Sequence, residues 1–186
     1  HEGLQAFGLA QEIHMNNRLE KNAVLYRAGE TGAIWRIQTG IVTLQQHTAR
    51  GTELIQLALP GDILGAETLC GEGYAYTAVA MQACSLIQPE VVGDFQRFST
   101  VAQGYLQQQQ RLQDMVKLRT GTVSSRVGHL LGMLRTRADG TWAELTREDL
   151  PTLKEMAALL DTAAETICRE LNHFLPKRAV HKPTMA

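Results

Sequence analysis

Between Leu19 and Gln88, glycines stand at positions 29, 40, 51, 61 and 71, ten or eleven residues apart, with short apolar segments filling the intervals. That spacing admits a strand of roughly four to eight residues and a turn, and it excludes helices of ordinary length. The segments AVLYR, AIWRIQ, IVTLQQ, ELIQLAL, YTAVAM and CSLIQ therefore read as strands, and even spacing of short strands predicts an antiparallel β-roll or sandwich. Tyr26 and Trp35 fit it as core or strand-face aromatics.

The pattern changes near Phe98. Phe98, Val101, Tyr105, Gln108, Leu112, Met115, Arg119 and Thr122 recur at alternating spacings of three and four, the seam of a long helix that pairs with its twin. Gln108, inside the polar run Gln107 to Gln110, would set the register as a buried polar residue does in coiled coils. VSSRVGHLLGML (123–134) reads as a further amphipathic helix, ADG (138–140) as a turn and TWAEL as a short strand, with His129 a packed or surface histidine rather than a ligand.

Residues 152–174, TLKEMAALLDTAAETICRELNHF, read as two short amphipathic helices. Leu153, Met156, Ala157 and Leu160 form the buried stripe of the first, and Ile167, Leu171 and Phe174 that of the second. Asp161 falls at the sharp turn, Thr162 is expected to be the N-cap, and Glu165 would complete its capping box. This is the pattern of a helix-turn-helix, whose second helix lays its N-terminal residues against base edges in the major groove. Arg169 suits the two acceptors of guanine, and Glu165 can accept from the cytosine amino group.

Composition narrows the alternatives. The net charge is −1, but Arg169, Lys177, Arg178 and Lys182 cluster at the end of the chain against one acid, Glu170, and could neutralise phosphates. No apolar run reaches the roughly 20 residues a membrane span needs, and no signal-peptide pattern opens the chain, so a cytoplasmic, non-membrane protein is expected. The first residue is His1, which leaves the natural N-terminus open. Cys70, Cys84 and Cys168 are odd in number and widely spaced, so free thiols are expected rather than disulfides. The chain has no GxSxG, P-loop, HExxH or CxxC and only four serines, which argues against an enzyme.

In its order of elements the chain resembles the Crp/Fnr family of bacterial transcription regulators. The resemblance is carried by LYRAGE (25–30) with IQTGIV (37–42), ALPGDILGAETL (58–69), VSSRVGHLLGML (123–134) and AETICREL (164–171). It implies an α+β fold: an antiparallel β-roll of the cyclic-nucleotide-binding jelly-roll type over 1–97, a dimerisation helix over 98–122, and a winged helix-turn-helix over 123–186. It implies a homodimer on a palindromic operator, with half-sites about one helical turn (~10 bp) apart, and RNA polymerase as a further partner. The residues placed at the DNA are Thr162, Ala164, Glu165, Thr166, Cys168 and Arg169, with Lys177 and Arg178 on phosphates. The dimer seam is Phe98, Val101, Tyr105, Gln108, Leu112 and Met115.

The position matching Ala164 is arginine in regulators like the cyclic-AMP receptor protein and apolar in many of the Fnr and FixK type. This chain sides with the latter, which suggests a TTGAT-like half-site. Cys168 replaces the serine usual before the arginine and puts a thiol near the DNA. The effector pocket of the roll maps to Glu67, Leu69, Cys70, Tyr76 and Thr77. Cyclic-nucleotide binders of the family pair an acid there with an arginine for the phosphate. Here Glu67 roughly matches the acid, but no Lys or Arg occurs between Arg50 and Arg97, so ordinary cyclic-nucleotide binding is not expected. Three scattered cysteines do not supply the clustered thiolates of an oxygen-sensing iron-sulfur centre. Haem would need an axial ligand, for which His14, His47 and Cys70 are available and nothing singles one out. The signal is left as an unidentified small molecule, cysteine oxidation, or none. The competing reading is a dimeric interaction or small-ligand module that binds no DNA.

Overall fold

The computed structural model describes residues 17–136 and 141–175 of the 186-residue chain. The glycine-punctuated region forms eight strands: β1 (Asn17–Leu19), β2 (Val24–Tyr26), β3 (Trp35–Thr39), β4 (Val42–Thr48), β5 (Gly51–Ala58), β6 (Ile63–Leu64), β7 (Thr77–Ala80) and β8 (Cys84–Ile87). All five glycines of the ten- or eleven-residue series adopt positive φ, between 83° and 120°, which is why glycine stands at those turns. At Gly40 the demand is double, since an added Cβ would lie 2.7 Å from the Cys84 sulfur.

The strands form two antiparallel sheets, β1-β8-β3-β6 and β2-β7-β4-β5. The six strands expected from the sequence are all present, and β1 and β6 join them. Their inner faces enclose Trp35, Ile37, Val42, Leu44, Ala78, Ala80 and Leu86. Tyr26 and Tyr74 stack in this core with centroids 3.7 Å apart and planes 12° from parallel. Strand β5 is buried on both sides at its C-terminal end: Leu44 of β4 pairs with Gln56 on the cavity side, while Leu57 enters the helical core. A bulge beside Leu44 and Gln45 leaves Ile55 without a partner across the ladder.

Helix α1 runs Gly93–Arg119, beginning and ending earlier than the expected 98–122. The Gln96 side chain accepts the Val92 N–H at 2.7 Å and fixes the early start; Gly121, at φ +85°, ends it. The helix packs closely on the roll, for a Cβ at Gly104 would stand 2.7 Å from the Ala66 Cβ in the 3₁₀ turn Ala66–Cys70. Helices α2 (Val123–Arg135), α3 (Leu153–Leu159) and α4 (Ala164–Phe174) follow. They share one core with α1 and the roll, in which Met115, Leu118, Val127, Leu130, Met156, Leu160, Ile167 and Leu171 meet Ile41, Leu57 and Leu59. The expected strand TWAEL is reduced to one bridge between Thr136 and Trp142; the ADG turn lies outside the described residues.

Candidate functional site

Helices α3 and α4 are set by their ends. Thr152 caps α3 by accepting the Glu155 N–H at 3.3 Å, while the Glu155 carboxylate accepts the Thr152 N–H at 2.8 Å. Burial would raise the Glu155 pKa, but hydrogen bonds from Lys21 and Thr152 outweigh it and hold the carboxyl below its ordinary value. The Lys21 ammonium, 2.8 Å away, belongs to the turn after β1, so this cap also joins the roll to α3. The chain turns at Asp161, with φ 46°, as the sequence predicts.

The N-cap of α4 is Ala163, without a side-chain cap, and not the expected Thr162. What secures the turn instead is Arg126 of α2, whose guanidinium donates to the Leu160 carbonyl and, at 3.3 Å, to that of Asp161. Ile167 and Leu171 are buried beneath α4, whereas Glu165 and Arg169 are exposed one turn apart and Ala164, Thr166 and Cys168 are half-buried between. Phe174, expected in the buried stripe, is 38% exposed, its ring edge lying over Gly128. The Arg147 side chain closes the far end, donating to the Leu175 carbonyl and, at 2.7 Å, to Asn172 Oδ1. Lys177 and Arg178 lie outside the described residues.

The outer face of α1 corrects the expected seam. Phe98, Tyr105 and Leu112 are exposed there, but Met115 is buried in the chain's own core, and Val101 and Gln108 face the roll. The exposed apolar series is Phe95, Phe98, Tyr105, Leu112 and Val116, completed by Ala102 and Gln109 at the same three-four spacing. Both faces of α1 carry apolar residues, and those that project inward, with Gln107, Arg111 and Asp114 among them, are engaged by the chain's own roll and helices.

Between the roll and α1 lies a cavity of about 340 Å³. Of the expected effector residues, Glu67, Cys70 and Tyr76 line it, while Leu69 and Thr77 do not. The Thr77 hydroxyl instead accepts the Ala28 N–H at 3.1 Å, and Leu69 is turned aside within the 3₁₀ turn. One Glu67 oxygen accepts the Ala75 N–H at 3.0 Å. Val101, Tyr105, Gln107 and Gln108 of α1 close the cavity, and Gln107 clamps both backbone groups of Ile63, accepting at 2.7 Å and donating at 3.2 Å. Among the described residues, no Lys, Arg or His lines it. Tyr26 reaches the same cavity; burial, then the Glu67 charge, raise its pKa, so it stays a neutral phenol.

Of the possible haem ligands, His14 lies outside the described residues, and His47 is exposed at the far end of β4, 2.8 Å from the Thr52 hydroxyl. Cys70 is exposed, Cys168 half-buried on α4, and Cys84 is packed inside the roll, where burial pushes its thiol pKa up against two hydrogen bonds to carbonyls. Among the described residues, no group of three or more His, Cys, Asp or Glu could hold a metal ion.

One network went unforeseen. Arg111 of α1 grips Asp62 of the β5–β6 turn through Nε (2.8 Å) and Nη2 (3.0 Å), and its Nη1 reaches Asp114 at 3.1 Å. Asp114 in turn lies 3.1 Å from His129 Nε2 on α2. Burial works against the Arg111 charge, but the two carboxylates more than offset it and raise its pKa. Roll, long helix and α2 are thus joined by one largely buried chain of polar contacts. Arg111 and Asp114 are neighbours on one helix, three residues apart, but Asp62 stands 49 residues from Arg111 and His129 15 residues from Asp114, so no local motif announces the whole network.

Residues 16–90 match the model of the cyclic nucleotide-binding domain. Over 122 residues the chain is 30% identical to the transcriptional regulator LdrP of Thermus thermophilus, covering 63% of this chain and 62% of that protein. The chain thus spans less than two thirds of the length of the curated relatives it matches. Its fold is similar to that of a CRP-family transcriptional regulator from Thermus thermophilus (TM-score 0.60, 24% identity, 85% of this chain and 83% of that one). It is also similar to FixK2 from Bradyrhizobium japonicum (TM-score 0.64, 20% identity, 87% and 84%). No helix among the described residues is long and apolar enough to cross a membrane.

Proposed function

We infer, from the match of its roll to the cyclic nucleotide-binding domain and its likeness to regulators of the Crp/Fnr type, that this chain is a cytoplasmic, sequence-specific DNA-binding transcription regulator that acts as a homodimer on a palindromic operator. The observation that carries the reading is α4: a helix anchored by Ile167 and Leu171 that presents Glu165 and Arg169 to solvent near its N-terminus, where a recognition helix meets base edges. The sharp turn at Asp161, held by Arg126, fixes the angle at which α4 leaves α3. Ala164, Thr166 and Cys168 flank the two base readers, and Thr162 precedes the helix, within reach of the backbone. Lys177 and Arg178 add phosphate contacts.

The dimer forms along the exposed series on α1, so that two copies of α4 face successive turns of the major groove. RNA polymerase is the partner that would turn this binding into regulation. The roll supplies the input. Among the described residues its cavity has no cation for a cyclic phosphate, which favours a signal other than an ordinary cyclic nucleotide. Because α1 both closes the cavity and carries the seam, a ligand that prefers one α1 position shifts the spacing of the two α4 helices.

Fluorescence anisotropy with a labelled duplex carrying inverted TTGAT half-sites tests the reading. Tight binding that falls by about tenfold or more on Arg169→Ala, with the dimer intact by sedimentation, is expected. Equal affinity for the variant and for a scrambled duplex would refute base reading by α4 and favour an interaction module that binds no DNA.

A further inference from the structure

The charges of the Arg111 network do not balance. Asp62 and Asp114 bring two carboxylates, their side chains 7% and 6% exposed, against the single guanidinium of Arg111. The remaining ionisable neighbour is His129, whose Nε2 lies 3.1 Å from Asp114 Oδ1, an oxygen that also accepts from Gln110 at 3.2 Å. The His129 side chain is 26% exposed, open enough to exchange protons with solvent. A groove of about 600 Å³ runs over these groups between the β5–β6 turn, α1, α2 and Trp142. Among the described residues, its ionisable side chains are Asp62, Arg111, Asp114 and His129 and no others. A neutral imidazole leaves one negative charge uncompensated there. An imidazolium cancels it and makes the contact to Asp114 a charge-assisted hydrogen bond. Histidine is the side chain that makes this change between pH 5 and 8.

The contact lies where α4 can feel it. Helices α1 and α2 are separated by Thr120, Gly121 and Thr122, with Gly121 at φ +85°. Among the described residues, Asp114 to His129 is the one side-chain hydrogen bond that ties the two helices together across this joint. The same stretch of α2 touches both ends of the recognition unit. Arg126, one turn before His129, holds the Leu160 and Asp161 carbonyls, and Gly128 lies against the Phe174 ring. From α4 it is Ile167, Leu171 and Phe174 that meet this side, and no α4 charge lines the groove. A shift of α2 against α1 therefore moves α4 at its start and at its end.

We propose that His129 is a proton-dependent positioning residue for DNA recognition: its imidazolium clamps α2 to Asp114 of α1 and fixes α4 for the operator, and its neutral form loosens that clamp. The inference rests on the reading of α4 as the recognition helix, and it gives that helix an input separate from the roll cavity. The full ion pair forms with α2 docked, so the docked arrangement takes up protons that the loosened one gives back. Acid shifts the population toward it. The pair is also lost on unfolding, so its stabilisation of the protomer is present in acid and disappears as pH rises.

Fluorescence anisotropy with the inverted TTGAT duplex, from pH 8 to pH 6 at constant ionic strength, tests it on the full chain. Operator affinity should rise about fivefold or more toward pH 6. His129→Gln, which keeps a neutral donor at this position, should flatten most of that rise, and so should Asp114→Asn. Urea denaturation without DNA, at one protein concentration, reads the ion pair alone: the parent should gain stability over His129→Gln as pH falls from 8 to 6. An operator pH profile that is the same in the parent and in His129→Gln, or a stability difference between them that does not change with pH, would each overturn the proposal. A parent that binds no duplex at any pH sinks the regulator reading and the DNA half of this proposal with it, whereas tight but pH-insensitive operator binding sinks this inference alone.

Discussion

Adjacent residues 115 and 116 separate two roles of α1. Met115 is 5% exposed and packed in the core that α1 shares with α2 and the roll, whereas Val116 is 62% exposed on the outer series. Met115→Ala deletes a buried side chain and should cost about 2–4 kcal/mol of protomer stability, or roughly 5–15 °C in melting temperature for a chain of this size. Val116→Glu should change protomer stability by less than about 0.5 kcal/mol. In a two-fold dimer, however, it acts twice. Losing about 1.5 kcal/mol of valine burial per copy gives about 3 kcal/mol per dimer, roughly a hundredfold in dissociation constant. Sedimentation velocity over a dilution series reads the dimer, and denaturation below the dissociation constant reads the protomer without linkage between them. The assignment fails if Met115→Ala dissociates the dimer while the diluted protomer melts as before, or if Val116→Glu leaves the dimer unaffected.

Other perturbations probe the rest of the frame. Arg111→Met leaves Asp62 and Asp114, 5% and 4% exposed, without their cation, and should cost about 3–5 kcal/mol in urea denaturation; much of it should return when both carboxylates are replaced by asparagine. Gly104→Ala forces a Cβ against Ala66 and should cost about 1–3 kcal/mol, relieved by adding Ala66→Gly. Because the folded pKa of Glu155 lies below its ordinary 4.5, the native state binds fewer protons there than the unfolded chain. Its stabilisation is complete above about pH 4.5 and is lost as pH falls through the lower folded value. Denaturation from pH 7 to pH 3 should show this dependence shrink in Glu155→Gln, and an unchanged profile would count against the Thr152–Glu155 cap.

The roll was legible because its glycines mark turns that need positive φ, and the α3–α4 unit because Asp161 stands between two apolar stripes. Strands β1 and β6, of three and two residues, are too short to carry an alternation. The outward face of α1 is ambiguous in the sequence for a different reason. Phe98, Tyr105 and Leu112 belong equally to two heptad phases, one ending at Met115 and one at Val116, and the choice between them is made by the roll that α1 covers. Arg126 and Arg111 act on partners 34 and 49 residues away. Gln56, by contrast, left a visible sign: one amide in an otherwise apolar run.

Strand β5 carries Gln56 toward the cavity and Leu57 toward the helices. Side chains of a strand alternate with a period of two, so a single-residue insertion or deletion would exchange these tenants, sending the amide among Leu118 and Leu130 and a leucine into the ligand space. Gln56 is the one β5 residue that lines the cavity among the described residues, with Leu54 and Leu57 on either side packed against the helical core. Because Leu57, its immediate neighbour, holds the helical half of the molecule, a change of ligand comes by replacement of side chains rather than by a change in the strand's length.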